Sequence, residues 1–114
     1  GVNRMFEDSQ IGDTLVVRLL EPRLDAYVAV KFRNRMREYQ ESGNNQFVLD
    51  LAEVDFIDSS GLGALVSVLK STDSAGRLAL CNLGESIVSM LRLTRMDQIF
   101  TIYSDVEQAT GATH

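Results

Sequence analysis

Val54-Asp55-Phe56-Ile57-Asp58-Ser59-Ser60-Gly61-Leu62-Gly63 joins an apolar run, Phe47 to Leu51 (FVLDL), to a stripe of apolar residues at helical spacing. A short apolar run without alternation is the pattern of a strand covered on both faces, so FVLDL is predicted at the centre of a sheet. Leu62, Leu65, Val66 and Leu69 recur at i, i+3, i+4 and i+7, which predicts a helix starting at Ser59 or Ser60 and ending near Asp73 to Gly76. Serine side-chain oxygens at such a start can accept the free N–H groups of the first turn, and a negative group is favoured there. A phosphate on Ser59 would meet those N–H groups and the positive end of the helix dipole. Gly61 and Gly63 each cost about 1 kcal/mol relative to alanine inside a helix. They leave the first turn without side chains, so another backbone or a partner surface can come close. On the residues alone two readings stand: a serine cap with glycines serving helix-to-sheet packing, or a modifiable serine on a binding surface.

Working outward, Met5 to Asp8 and Thr14 to Leu20 (TLVVRLL) read as two opening strands around a turn at Ile11-Gly12-Asp13. Pro22 ends the second strand and Asp25 stands at a helix N-cap position. Ala29, Phe32, Met36 and Tyr39 then mark an amphipathic helix from Ala26 to near Gly43. Lys31, Arg33, Arg35 and Arg37 fall mostly elsewhere around it, as a solvated face or a patch for an acidic partner. Leu78 to Cys81 is a further strand. Ile87, Met90, Leu91 and Thr94 outline a third helix, Ile99 to Tyr103 a last strand, and a weak helix can follow Asp105. Two strands followed by alternating helix and strand imply an α/β domain over residues 1–114, with a mixed sheet of four or five strands and helices packed mainly on one face. Met36, Met90 and Met96 read as core filler, and Cys81 as a small buried hydrophobe.

Composition removes several function classes. Eleven Lys and Arg against sixteen Asp and Glu give a net charge of -5, which argues against a general nucleic-acid binder. One cysteine, Cys81, excludes an internal disulfide framework and a Cys-rich zinc site, and one histidine, His114, removes His-pair metal sites. Asp50, Asp55 and Asp58 could approach a divalent cation, but without an ordering partner they read as solvated turn residues. No metal and no cofactor is implied. A serine nucleophile would need a base, and the only histidine ends the chain. The Ser-Ser-Gly-Leu-Gly order lacks the Gly-x-Ser-x-Gly elbow, and no phosphate-binding Gly-x-x-x-x-Gly-Lys-Ser/Thr segment occurs. No apolar run approaches the ~20 residues of a membrane span, and no signal-like stretch opens the chain, so a cytoplasmic protein without membrane insertion is expected. Gly1, where an initiator Met would stand, reads as the scar of a trimmed tag.

Phe56-Ile57-Asp58-Ser59-Ser60-Gly61-Leu62-Gly63 resembles the phosphorylation segment of STAS domains, specifically bacterial anti-sigma factor antagonists. The likeness extends to Leu24-Asp25, the FVLDL strand, Leu78 to Cys81, and Leu93 to Phe100. It implies Ser59 as the phosphoacceptor, with Arg23, Leu24, Asp25, Asp58, Ser60, Gly61, Leu62 and Gly63 as the partner-binding residues. It further implies no catalysis by the chain itself. The unphosphorylated form would bind an anti-sigma factor serine kinase of the GHKL type and free the sigma factor; phosphorylation would end binding, and a PP2C-type phosphatase would restore the serine. Where many family members have Gly-Glu-Leu-Asp before the first helix, this chain has Pro22-Arg23-Leu24-Asp25, a charge reversal that bears on kinase choice. The alternative is a STAS regulatory or binding subunit of a membrane transport system.

Overall fold

The computed structural model describes residues 4–72 and 74–111; Gly1, Asp73 and His114 lie outside them, and the second long helix, expected to end near Asp73 to Gly76, ends at Ser71. The chain opens with a hairpin of β1 (Phe6–Ile11) and β2 (Thr14–Leu19), antiparallel with Ile11 opposite Thr14. The turn is therefore Gly12-Asp13 alone, and Gly12 takes the positive φ of 59° that such a tight connection needs. The first strand runs three residues beyond the expected Asp8, because main-chain pairing continues where the side chains are polar and exposed. Those polar residues suit an edge strand.

After β2 come β3 (Arg23–Leu24), α1 (Ala26–Glu41), β4 (Gln46–Asp50), β5 (Phe56–Ile57), α2 (Ser59–Ser71), β6 (Arg77–Cys81), α3 (Glu85–Leu93), β7 (Thr101–Tyr103) and α4 (Val106–Thr110). The five-stranded sheet has the order β1-β2-β4-β6-β7, with β2, β4, β6 and β7 parallel. The middle strand, β4, holds Phe47 to Asp50 of the FVLDL run and starts one residue earlier at Gln46, with Leu51 just beyond it. Each parallel step moves one place in the same direction across the sheet, so crossovers of one hand carry α1, α2 and α3 to the same face. Leu15, Val17, Leu19, Phe47, Leu49, Leu51, Leu78 and Leu80 meet those helices in the main core. Val16, Val48, Ala79 and Cys81 point the other way, where Ala109 of α4 covers them. Burial pushes the Cys81 thiol up to about 12, with nearby Asp50, Asp105 and Glu107 acting in the same direction.

Within α1, Ala29, Phe32 and Met36 are buried as the spacing predicts, Asp25 caps the helix by accepting Val28 N–H at 3.1 Å, and Gly43 lies just beyond its end at φ 100°. Two expectations need correction. The buried line of α2 is Gly61, Ala64, Leu65 and Val68, whereas Leu62, Val66 and Leu69 are half-buried flanks. The line is rotated because the small residues Gly61 and Ala64 occupy the side of closest approach. The last strand starts at Thr101, since Ile99 and Phe100 still donate to the Met96 carbonyl from the end of a 3-10 turn over Met96–Gln98.

Leu65 is fully buried in the main core. Leu65→Ala is expected to cost about 2–5 kcal/mol in chemical denaturation, and a loss below about 0.5 kcal/mol would mean that the cavity collapses or the face is misplaced.

Candidate phosphorylation and partner-binding site

The chain has two copies of one local device. Leu24-Asp25 and Ile57-Asp58 each place an apolar residue inward and an aspartate at a helix N-cap, and the short strands before them pair in parallel, Arg23 with Phe56 and Leu24 with Ile57. The Pro22 carbonyl accepts Asp55 N–H at 2.7 Å and Phe56 N–H at 3.2 Å; the Leu24 carbonyl accepts Asp58 N–H at 3.3 Å. The N-termini of α1 and α2 are thereby fixed side by side.

Asp58, and not a serine, is the N-cap of α2: its side chain accepts Gly61 N–H at 2.8 Å, and its carbonyl accepts Leu62 N–H at 2.9 Å. A carboxylate satisfies this geometry as well as a hydroxyl does and adds a favourable charge at the positive helix end. Ser59 is consequently the first helical residue, exposed, its hydroxyl free of hydrogen bonds to the described residues. Ser60 is half-buried beside it.

The two glycines separate. A Cβ on Gly61 would lie 2.2 Å from the Leu24 carbonyl oxygen and 2.8 Å from Leu24 Cγ, whereas one on Gly63 would meet nothing within 4 Å. Gly61 is therefore explained by the fold. Gly63 presents bare, exposed helix surface. Leu24 is fully buried and Gly61 is buried, so neither offers a side-chain surface to a partner as a partner-binding assignment requires; they hold the site together from below. Asp25, Asp58 and Leu62 are half-exposed, and Arg23 is exposed.

Sequence reasoning missed two features here. Phe56 is 42% exposed, and the Arg23 guanidinium stacks 4.3 Å from its ring centroid, a contact between positions 33 residues apart that no local pattern signals. Asp50 is buried, not a solvated turn residue: its Oδ1 accepts Ala52 N–H and Asn82 Nδ2–H, both at 3.1 Å. Its signal was present, an acid closing an otherwise apolar strand. Arg18 reaches across to Glu53 at 2.9 Å, and the Glu53 hydrogen bond, with Asp50 nearby, holds its guanidinium above its ordinary value. The Asp55 carbonyl accepts from Ser86 Oγ at 3.1 Å. The connection from β4 to α2 is thus tethered at almost every residue. Among the described residues, no group of three or more His, Cys, Asp or Glu is arranged to hold a metal. No helix among them is long and apolar enough to cross a membrane.

A small α/β domain with a free serine at a helix start, beside an exposed arginine–aromatic stack, has the form of a regulatory binding module. Residues 5–109 match the STAS domain family. The chain belongs to that family and is closely related to its bacterial anti-sigma factor antagonists. A Thermotoga maritima protein described as a candidate anti-sigma factor antagonist is 33% identical over 102 residues, 88% of this chain and 90% of that one. The anti-sigma-B factor antagonist of Listeria monocytogenes is 31% identical over 80 residues, covering 69% and 70% of the two chains. A crystal structure of a Thermotoga maritima candidate anti-sigma factor antagonist superimposes with a TM-score of 0.82 at 33% identity, covering 95% of this chain and 93% of that one. SpoIIAA of Bacillus shares the fold alone, with TM-scores of 0.76 to its unphosphorylated form at 18% identity and 0.70 to its phosphorylated form at 19%; these cover 96% and 95% of this chain and 99% of each SpoIIAA chain.

The contrast between the glycines is testable. Gly61→Ala should destabilise the domain by about 1–3 kcal/mol, since the obstacle is backbone, whereas Gly63→Ala should be neutral or stabilise it by up to about 1 kcal/mol. Thermal and urea unfolding of the two variants measure both; equal effects would refute the close approach at Leu24.

Proposed function

We propose that this chain acts in a partner-switching cycle: its unphosphorylated form binds an anti-sigma factor serine kinase of the GHKL type, and transfer of a phosphoryl group from ATP to Ser59 Oγ ends that binding. A PP2C-type phosphatase then restores the hydroxyl by hydrolysis. The chain contributes no catalysis in this reading. The observation that carries the reading is Ser59 itself, exposed and uncommitted on the first turn of α2 because Asp58 has taken over the cap.

The physical basis lies in the difference between fold and interface. The first hydrogen bonds of α2 are donated by the Gly61 and Leu62 N–H groups to Asp58, which leaves the Ser59 and Ser60 N–H groups outside the cap and able to meet an anion. A phosphoryl group adds about -1.5 to -2 charges at a helix end that accommodates them, so the fold should tolerate it. A partner surface would have to desolvate that charge beside Asp25, Asp55 and Asp58, which costs several kcal/mol unless it supplies cations. SpoIIAA, with the same fold in both forms, supports the view that a phosphorylated protein keeps this architecture. Arg23 on Phe56, with Gly63, supplies the exposed surface next to the serine, and Arg23 stands where the family resemblance places an acid. The transport-subunit alternative shares the fold, and the Asp58-Ser59-Ser60-Gly61 run favours the phosphorylatable class. A gene neighbourhood with a kinase and sigma factor, as opposed to a permease, separates the two.

Incubation with the neighbouring kinase and ATP should place phosphate on Ser59, with Ser60→Ala still modified and Ser59→Ala not, as mapped by mass spectrometry. The phosphorylated protein and Ser59→Asp should keep the circular dichroism of the native fold and bind the kinase at least ~100-fold more weakly, about 2.8 kcal/mol by calorimetry. Equal affinity of the two phosphorylation states would sink the switch, and phosphate on Ser60 alone would sink the site. Arg23→Glu should weaken the unphosphorylated complex by removing the stack and reversing a charge; unchanged affinity would take Arg23 out of the recognition surface.

A further inference from the structure

We propose that the groove between α1 and α2 at Arg33 and Arg37 is a second docking point, which takes a carboxylate-bearing segment of a protein partner; it deepens the partner-binding reading above and is testable apart from it. Arg33 and Arg37 lie one turn apart on α1, both exposed. With Gln40, Ser67 and Ser71 they line a cavity of about 90 Å³. Arg4, Arg18 and Arg35 each hold a carboxylate within 4 Å, but Arg33 and Arg37 hold none among the described residues. Like charges four apart on a helix repel one another, and although Glu41 stands four residues beyond Arg37 in the same row, neither arginine closes an ion pair within 4 Å among the described residues.

The chemistry of the groove selects its occupant. Two planar guanidinium forks can each grip a carboxylate in a bidentate manner, which an ammonium cannot do. The exposed Ser67 hydroxyl adds a donor. Gln40 Nε2 donates to Ser71 Oγ at 3.1 Å and Ser71 Oγ donates to the Val68 carbonyl at 3.1 Å, which ties the two helices together and forms the back wall. A cavity of this size admits a side chain and is well below the ~300–1,000 Å³ of small-molecule sites. An acidic peptide segment fits both the charge and the volume.

The groove also lies between the same two helices whose first turns form the switch end. The two helices start side by side at their caps, and Gln40 meets Ser71 near their far ends, so they run in the same direction. At 1.5 Å rise per residue, Arg33 and Arg37 lie roughly 12–18 Å along α1 from Asp25. One partner can therefore cover Ser59 and reach the arginines, while a phosphoryl group on Ser59 leaves the arginines untouched.

The test titrates the ¹⁵N-labelled full chain with octaglutamate at low and physiological salt. Amide shifts should centre on residues 33–40 and 64–71, affinity should fall with salt, and the Arg33→Gln/Arg37→Gln variant should bind at least ~tenfold more weakly with unchanged circular dichroism. Should that variant lose its fold, each single substitution should still weaken binding at least ~threefold. Ser59→Asp should bind octaglutamate as the native chain does, so failure of the switch and failure of this docking point give different results. No binding, shifts centred on Arg4 and Lys31, undiminished binding by the substituted chains, or the same shifts from inorganic phosphate would each overturn the proposal.

Discussion

The Leu24 carbonyl is the point on which the geometry of this domain turns. It accepts the Asp58 N–H, and it sits where any side chain at position 61 would have to go. A backbone oxygen this close to a helix requires both a glycine in the helix and a buried side chain holding the oxygen in place, which Leu24 supplies. Because the Leu24 segment also begins α1, this contact sets the distance between the N-termini of α1 and α2. The exposed surface around Ser59 inherits its shape from that distance.

The parts of the fold legible in the sequence are those with a repeating physical signal. The middle strand announced itself by an unbroken apolar run, and α1 by a stripe at helical spacing. The pair β3 and β5 did not, because two residues are too few to show alternation, and their pairing joins positions 33 residues apart. The same shortness hid the arginine–phenylalanine stack. The rotated face of α2 has another cause: apolar spacing weighs leucine over glycine and alanine, but the line of closest approach belongs to Gly61 and Ala64.

The site was legible as a segment, while the roles within it were not: Leu24, Gly61 and Asp50 are buried, and the cap falls to an aspartate. A serine and an aspartate adjacent at a helix start are both good caps, and nothing in their order alone says which side chain turns back. The structure gives the cap to Asp58, and the consequence is chemical. A capping serine would have its oxygen engaged as an acceptor of a helix N–H. With the aspartate in that place, the serine hydroxyl projects uncommitted, and the carboxylate that frees it adds negative charge to its surroundings. In the proposed cycle these two effects act on different states: the first makes the hydroxyl available for transfer, and the second raises the cost of covering the product.

That division also accounts for the tethering of the segment before α2. Asp50 and Asn82, Arg18 and Glu53, the Pro22 carbonyl and Ser86 each hold one part of the connection between β4 and α2. A segment held at so many points keeps Ser59 in one place whatever charge it carries, because shifting it would break several hydrogen bonds at once, each worth about 1 kcal/mol. A rigid support confines the consequence of a phosphoryl group to the surface. In the proposed cycle, binding is then controlled by what a partner must desolvate, and the same native backbone would serve both states.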